Sequence, residues 1–191
     1  MRHIILICLL SSSLFGLASE GEAPRNIYSG GMHIFQPSFV SYKNPLDEIH
    51  TYGSGIGGIM RFYLWSNFAA GFYGGRHTAE YDTNGSENSY ISLGHGGGFV
   101  GLTHKSGKFR YSLSMGVGGG TIKNLHIVEQ QVDVLADAHF YKYSTMVLLP
   151  FTSVDYSLTR RLLITLQASY FMADNMNYTA PSLQIGLLFN R

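Results

Sequence analysis

Apolar residues recur at every second position through most of this chain. Leu162, Ile164, Leu166, Ala168, Tyr170 and Met172 alternate with Leu163, Thr165, Gln167, Ser169 and Phe171. Leu183, Ile185, Leu187 and Phe189 alternate with Ser182, Gln184, Gly186 and Asn190. Phe109, Tyr111, Leu113, Met115 and Val117 alternate with Arg110, Ser112, Ser114, Gly116 and Gly118. A period of two puts neighbouring side chains on opposite faces of a pleated strand. No segment sustains the 3.6 period of an amphipathic helix, so the pattern restricts the chain to an all-β fold.

Eight such segments are expected, near 28–42, 53–64, 67–79, 88–103, 108–122, 142–157, 161–173 and 181–190. The connections between them alternate in length. Trp65-Ser66, Lys105-Ser106-Gly107 and Thr159-Arg160 are short, whereas 43–52, 80–87, 123–141 and 174–180 are long. Antiparallel strands with short turns at one end and long loops at the other describe a transmembrane barrel. The expectation is one eight-stranded antiparallel up-and-down transmembrane β-barrel over residues 28–191.

Residues 1–18 read as a signal peptide, with Met1-Arg2-His3 ahead of the apolar run Ile4–Leu10 and small residues at Gly16 and Ala18. Residues 19–27 then form a short N-terminal segment. The apolar run is shorter than the ~20 residues a spanning helix needs. The single cysteine, Cys8, lies in that segment, so a disulfide framework is excluded.

Composition separates a membrane barrel from a soluble one. Only 13% of residues are charged, about half the usual share, and 45% are hydrophobic. In a soluble barrel the apolar face would point inward and the other face outward. Here the less apolar face carries Arg61, Arg110, Asp155 and Gln167, and the continuous apolar face suits lipid. Tyrosines gather near both ends of the segments, as amphipathic rings do at membrane interfaces. Tyr42, Tyr52, Tyr81, Tyr90, Tyr141, Tyr143, Tyr170 and Tyr178 fall at the long-loop end. Nine of the twelve acidic residues lie in or beside the long loops, and Lys105, Lys108, Arg160 and Arg161 mark the short turns. Lys and Arg number 13 against 12 acids, which argues against a nucleic-acid partner.

With its signal peptide, eight alternating segments and C-terminal run Leu183-x-Ile185-x-Leu187-x-Phe189, the chain resembles the small eight-stranded outer-membrane barrels of the OmpA and OmpX type. The resemblance is one of pattern over nearly all of the mature chain. It implies residence in the outer membrane of a Gram-negative-type bacterium. It also implies contact with outer-membrane lipids and lipopolysaccharide, and insertion by the barrel-assembly machinery. In that class the chain usually ends on an aromatic residue, whereas here Asn190 and Arg191 follow Phe189.

Pro37 and Pro150 fall inside expected strands. A closed barrel has no free edge for a missing N–H, so each should mark a bulge or a shifted register. Eighteen of 23 glycines lie in the first five segments, in runs such as Gly94-x-Gly96-Gly97-Gly98. They permit strong bending and leave space for Val147, Leu149, Phe151, Leu163 and Phe171 from the opposite wall. An eight-stranded barrel has room only for its own side chains, so a plugged lumen is expected.

Arg61, Arg110 and Asp155 are the expected interior charges, meeting in one structural layer near the short-turn end. The pair His104-Lys105-Ser106 has the form of an activated nucleophile. It falls in a short turn with no carboxylate in the following strand, and no catalytic residue is assigned. Asp47-Glu48-x-His50 is the only local cluster comparable to an Asp–His dyad. The longest loop holds His126, Glu129, Asp133, Asp137 and His139, a set chemically able to meet a metal but matching no strong motif. No metal or cofactor is assigned. The function expected is non-catalytic, structural or surface-interacting through the outer loops. A lipid-modifying enzyme and a narrow pore for small solutes stand as alternatives, and the extracellular partner is open.

Overall fold

The computed structural model describes residues 27–65, 67–83, 86–131, 134–174 and 177–190. The expected signal peptide, all of the 19–27 segment but Ile27, and Asp133 lie outside them. Eight strands follow one another: β1 (Tyr28–Lys43), β2 (Glu48–Trp65), β3 (Phe68–Thr83), β4 (Ser86–Ser106), β5 (Phe109–Gln131), β6 (Val134–Ser157), β7 (Leu162–Ala173) and β8 (Tyr178–Asn190). Each pairs antiparallel with its sequence neighbours, and β8 closes on β1. The chain is an eight-stranded up-and-down barrel.

The pleat sets the two faces. Along β7 and β8 burial alternates residue by residue, with Leu163, Thr165, Gln167, Ser169, Phe171, Gln184 and Leu188 inside. Leu166, Leu183, Val117, Met115, Val100 and Phe72 are exposed on the outside. Exposed apolar surface on this scale marks a lipid or partner contact, and its continuity round the barrel fits a bilayer. From Met32 of β1, the paired row runs through Gly58, Gly74, Gly96 and Gly119 to Met146 of β6. In the other direction it passes Leu187 and Ile164 and arrives at Tyr156. The stagger of ten residues between Met146 and Tyr156 is the shear that links strand number to tilt.

Three expectations need correction. The connections at the far end are not long loops. β5 and β6 pair as far as Gln131↔Val134, and β3 and β4 as far as Thr83↔Ser86. The strands continue past the apolar wall. On β3 and β4 polar residues such as Glu80, Asp82 and Asn88 erase the alternation, whereas β5 and β6 still carry Ile127, Val128 and Phe140. Pro150 marks no bulge. Met115↔Pro150 is in register on β5, and the β6–β7 ladder runs from Leu148↔Met172 to Phe151↔Ser169 without a shift. Its missing N–H falls in that gap in the ladder. Pro37 lies beside a real irregularity, a register shift between His33 and Gln36.

The third correction concerns the tyrosines. Tyr42, Tyr81 and Tyr178 are at most 8% exposed and point inward, whereas Tyr52 is 82% exposed. The long-loop tyrosines thus divide between the outer surface and the lumen.

Candidate functional site

The lumen is filled in layers. At the short-turn end Arg61 (β2) donates from Nη1 to Asp155 Oδ2 (β6) at 2.6 Å and from Nη2 to Gln167 Oε1 (β7) at 3.2 Å. Thr165 Oγ1 donates to the other carboxylate oxygen at 2.7 Å. Gln167 Nε2 donates to Gln184 Oε1, and Gln184 Nε2 to Ser169 Oγ. Arg61 and Asp155 are fully buried, so each depends on the other for its charge to be tolerated.

Arg110 does not join them. Its Cα is the direct cross-strand partner of Asp155, but its guanidinium lies 3.9 Å over the Tyr63 ring. Tyr63 in turn shares a 2.7 Å hydrogen bond with Ser29. A cation stacked on a ring face is a recognised pairing for Arg. The expected three-charge layer is therefore an ion pair below which a cation–ring pair sits.

Above this layer His77 and His95 pack on Phe171, with ring centroids 4.4 and 4.6 Å apart, and Phe99 meets Phe151 at 5.1 Å. Leu93, Val147 and Leu149 fill the space around them. The void lined by His33, Gln36, His95, Gln167, Phe171 and Gln184 measures about 10 Å³, no larger than one water. Inward glycines make this packing possible: a Cβ at Gly71 or Gly116 would lie 2.8 Å from the Phe99 or Tyr73 ring.

The mouth opposite the short turns holds a polar network that the sequence reading missed. Tyr143 OH donates to Asp174 Oδ2 at 2.8 Å, which leaves Tyr42 OH to donate to Tyr143 across 2.9 Å. Asn124 Nδ2 donates to Tyr81 OH at 2.8 Å, and Tyr81 OH lies 3.1 Å from His126 Nδ1. Asn44 Nδ2 donates to Asn124 Oδ1. These groups stand above the apolar wall. Burial raises the phenol pKa of Tyr42 and Tyr143, reinforced at Tyr143 by its bonds to Tyr42 and Asp174. Burial pushes Tyr81 up to about 12, against the opposing bond from Asn124. A cleft of about 430 Å³ opens here between Tyr42, Lys43, Asn44, Tyr141, Tyr143 and Asp174.

The described outer-loop residues, His126, Glu129, Asp137 and His139, do not form one cluster. His126 is buried against Tyr81 at the mouth. Glu129 and Asp137 face each other across the β5–β6 hairpin, and His139 Nε2 lies 3.8 Å from Asp137 Oδ1 on the exposed surface. Among the described residues no three acids, histidines or cysteines converge as metal ligands. His50 and Glu48 form an exposed contact at 3.5 Å. His104 pairs with Tyr111 at the foot of β4, beside the exposed Ser106.

No protein-family model and no curated protein matches the chain. Solved structures do. Neisserial surface protein A matches with a TM-score of 0.56 at 11% identity, over 90% of this chain and 100% of that one. OprG of Pseudomonas aeruginosa matches at 0.56 and 12% identity, over 86% and 95%. Ail, the attachment invasion locus protein of Yersinia pestis, matches at 0.52 and 10% identity, over 85% and 98%. At such identities the likeness shows the fold: that of the small eight-stranded outer-membrane barrels. With its apolar wall, the chain has that fold and presents to its surroundings a surface suited to a lipid bilayer.

Proposed function

We propose that the protein is a non-catalytic outer-membrane barrel whose end opposite the short turns is a recognition surface. The observation that carries this reading is the tyrosine-lined cleft at the mouth, standing over a lumen closed by packed side chains. Its volume lies in the range of small-ligand sites, and such sites combine apolar walls with a few placed polar groups. Tyr42, Tyr141 and Tyr143 supply ring faces and hydroxyls. Asp174 and Asn44 supply a carboxylate and an amide, and Lys43 a cation. That set suits a hydroxylated surface group such as a sugar unit.

The test is an array of surface glycans probed with the folded barrel and with a Tyr141→Ala variant. Glycan binding by the wild type that is lost in the variant supports the reading. Equal binding by both proteins, or none by either, overturns it.

A further inference from the structure

Above the apolar wall on the outer surface, three cations share one patch. Arg76 (β3), Lys123 (β5) and Lys142 (β6) line a cleft of about 370 Å³ together with Ser92, Gly94 and Thr121. Register brings them there: Arg76 pairs with Gly94, Gly94 with Thr121, Ser92 with Lys123, and Lys123 with Lys142. Arg76 Nε donates to Ser92 Oγ at 2.8 Å, which turns the guanidinium towards the lysines. Among the described residues none of the three cations makes an ion pair. Glu80 lies two outward positions higher on β3. Like charges gathered without a counter-charge call for an anion.

Directly below the patch the wall loses its side chains. Down its outer face β4 reads Ser92, Gly94, Gly96, Gly98, Val100. Gly74 of β3 and Gly119 of β5 flank Gly96 in the same row. At Gly31, Gly71, Gly97 and Gly118, by contrast, a Cβ would strike the next strand or the opposite wall. At Gly94 and Gly119 nothing lies within 4 Å of an added Cβ, and at Gly96 and Gly98 the nearest atoms are 3.5 and 3.6 Å away. Sterics inside the protein therefore do not require glycine there. The result is a bare trough in the bilayer-facing wall, opening upward into the cationic patch.

We infer that this trough and patch bind a phosphorylated, multiply acylated glycolipid of the outer leaflet. Its phosphate lies on Arg76, Lys123 and Lys142, and an acyl chain lies along Gly94, Gly96 and Gly98. The position matches the chemistry. The cations stand just beyond the apolar wall on the side opposite the short turns, where headgroup phosphates lie, and the trough lies at acyl depth beneath them. Arg is suited to phosphate by its planar fork, and Lys as a point charge. The site shares no residue with the mouth cleft, so either proposal can fail alone.

The test uses the full-length protein extracted from outer membranes and exchanged into phosphatidylcholine nanodiscs. A fluorescent bisphosphorylated lipid A is titrated by energy transfer, with its dephosphorylated form and inorganic pyrophosphate as comparisons. The triple variant R76Q/K123Q/K142Q is expected to bind the phosphorylated lipid about tenfold more weakly or worse. The G94L/G96L variant fills the trough and is expected to weaken lipid binding while sparing pyrophosphate. Heat-dependent gel mobility verifies that each variant is folded. Unchanged lipid binding in both variants overturns the proposal, as does equal binding of the dephosphorylated lipid. Pyrophosphate competing as well as the lipid would reduce the site to a free-anion site and overturn the lipid assignment.

Discussion

At the residue scale, buried charge and missing side chains decide most of what this barrel tolerates. Asp155 holds Arg61 and Thr165 with both carboxylate oxygens in a dry interior. Asp155→Ala strands the Arg61 charge and is expected to cost roughly 3–5 kcal/mol. Urea unfolding followed by gel mobility measures it, and an unchanged midpoint would contradict the pairing. A glycine pair makes a second contrast. Gly71→Ala drives a methyl into the Met60 carbonyl and the Phe99 ring, and is expected to cost about 1–3 kcal/mol. Gly94→Ala enters open space and is expected to be neutral or slightly stabilising. The same unfolding assay separates the two. Tyr81 gives a pH dependence. Its folded pKa of about 12 lies above the ordinary 10, so the folded state holds its proton more tightly. The mouth is at full strength below pH 10 and loses stability as pH rises from 10 through 12. The difference in tyrosinate absorbance between wild type and Tyr81→Phe should show a transition near pH 12. A transition at the ordinary value would remove Tyr81 from the buried network.

At the element scale, the seam between β1 and β8 is the interrupted one. Its ladder is regular to His33↔Gly186, shifts register before Phe35↔Ile185, and resumes only at Ser38↔Ser182 and Ser41↔Thr179. Pro37 and Pro181 lie in those gaps, and each lacks an N–H. Ser182 Oγ donating to the Pro37 carbonyl at 3.0 Å partly replaces the ladder. By contrast, β4 and β5 pair without a shift from Tyr90↔Leu125 to Ser106↔Phe109. Local opening follows hydrogen-bond density. Hydrogen exchange should therefore be faster in peptides from 36–41 and 179–184 than in those from 94–103, and equal rates would sink this reading of the seam. Elements of this kind were largely legible beforehand. Alternation exists because the pleat sends neighbours to lipid and to lumen, so every wall-spanning strand left its trace. Of the upper hairpins, the β5–β6 one left a trace in the apolar residues Ile127, Val128, Val132, Val134 and Leu135, which point to a hairpin running on past the bilayer. The β3–β4 one, with Glu80, Asp82 and Asn88, left none, because above the wall neither face meets lipid. A glycine carries no side chain to show which face it serves, so the outer trough emerged only from register.

At the scale of the whole molecule, the lumen is closed twice. The lower closure is polar, with Arg61, Asp155, Gln167 and Gln184 linked across three strands besides β2. Charges on a mixed pleat signalled it in the sequence. That Arg110 turns to Tyr63 and not to Asp155 was not legible, because ring and carboxylate compete only once β2, β5 and β6 are arranged in space. The upper closure is aromatic and aliphatic, built by Phe171 between His77 and His95 and by Leu149 and Val147. The two closures lie in series along one axis, and each blocks flow by itself. The wild type should therefore show no steady conductance in planar bilayers. Phe171→Ala alone should also stay closed, because the ion-paired layer remains. Arg61→Ala/Asp155→Ala should stay closed as well, because the aromatic layer remains, and removing both partners avoids a stranded charge. Only the triple variant, verified as folded by gel mobility, should conduct. A single-layer variant that conducts would show that the other closure is not tight. A steady channel in the wild type would reverse the assignment of this barrel from a surface protein to a pore.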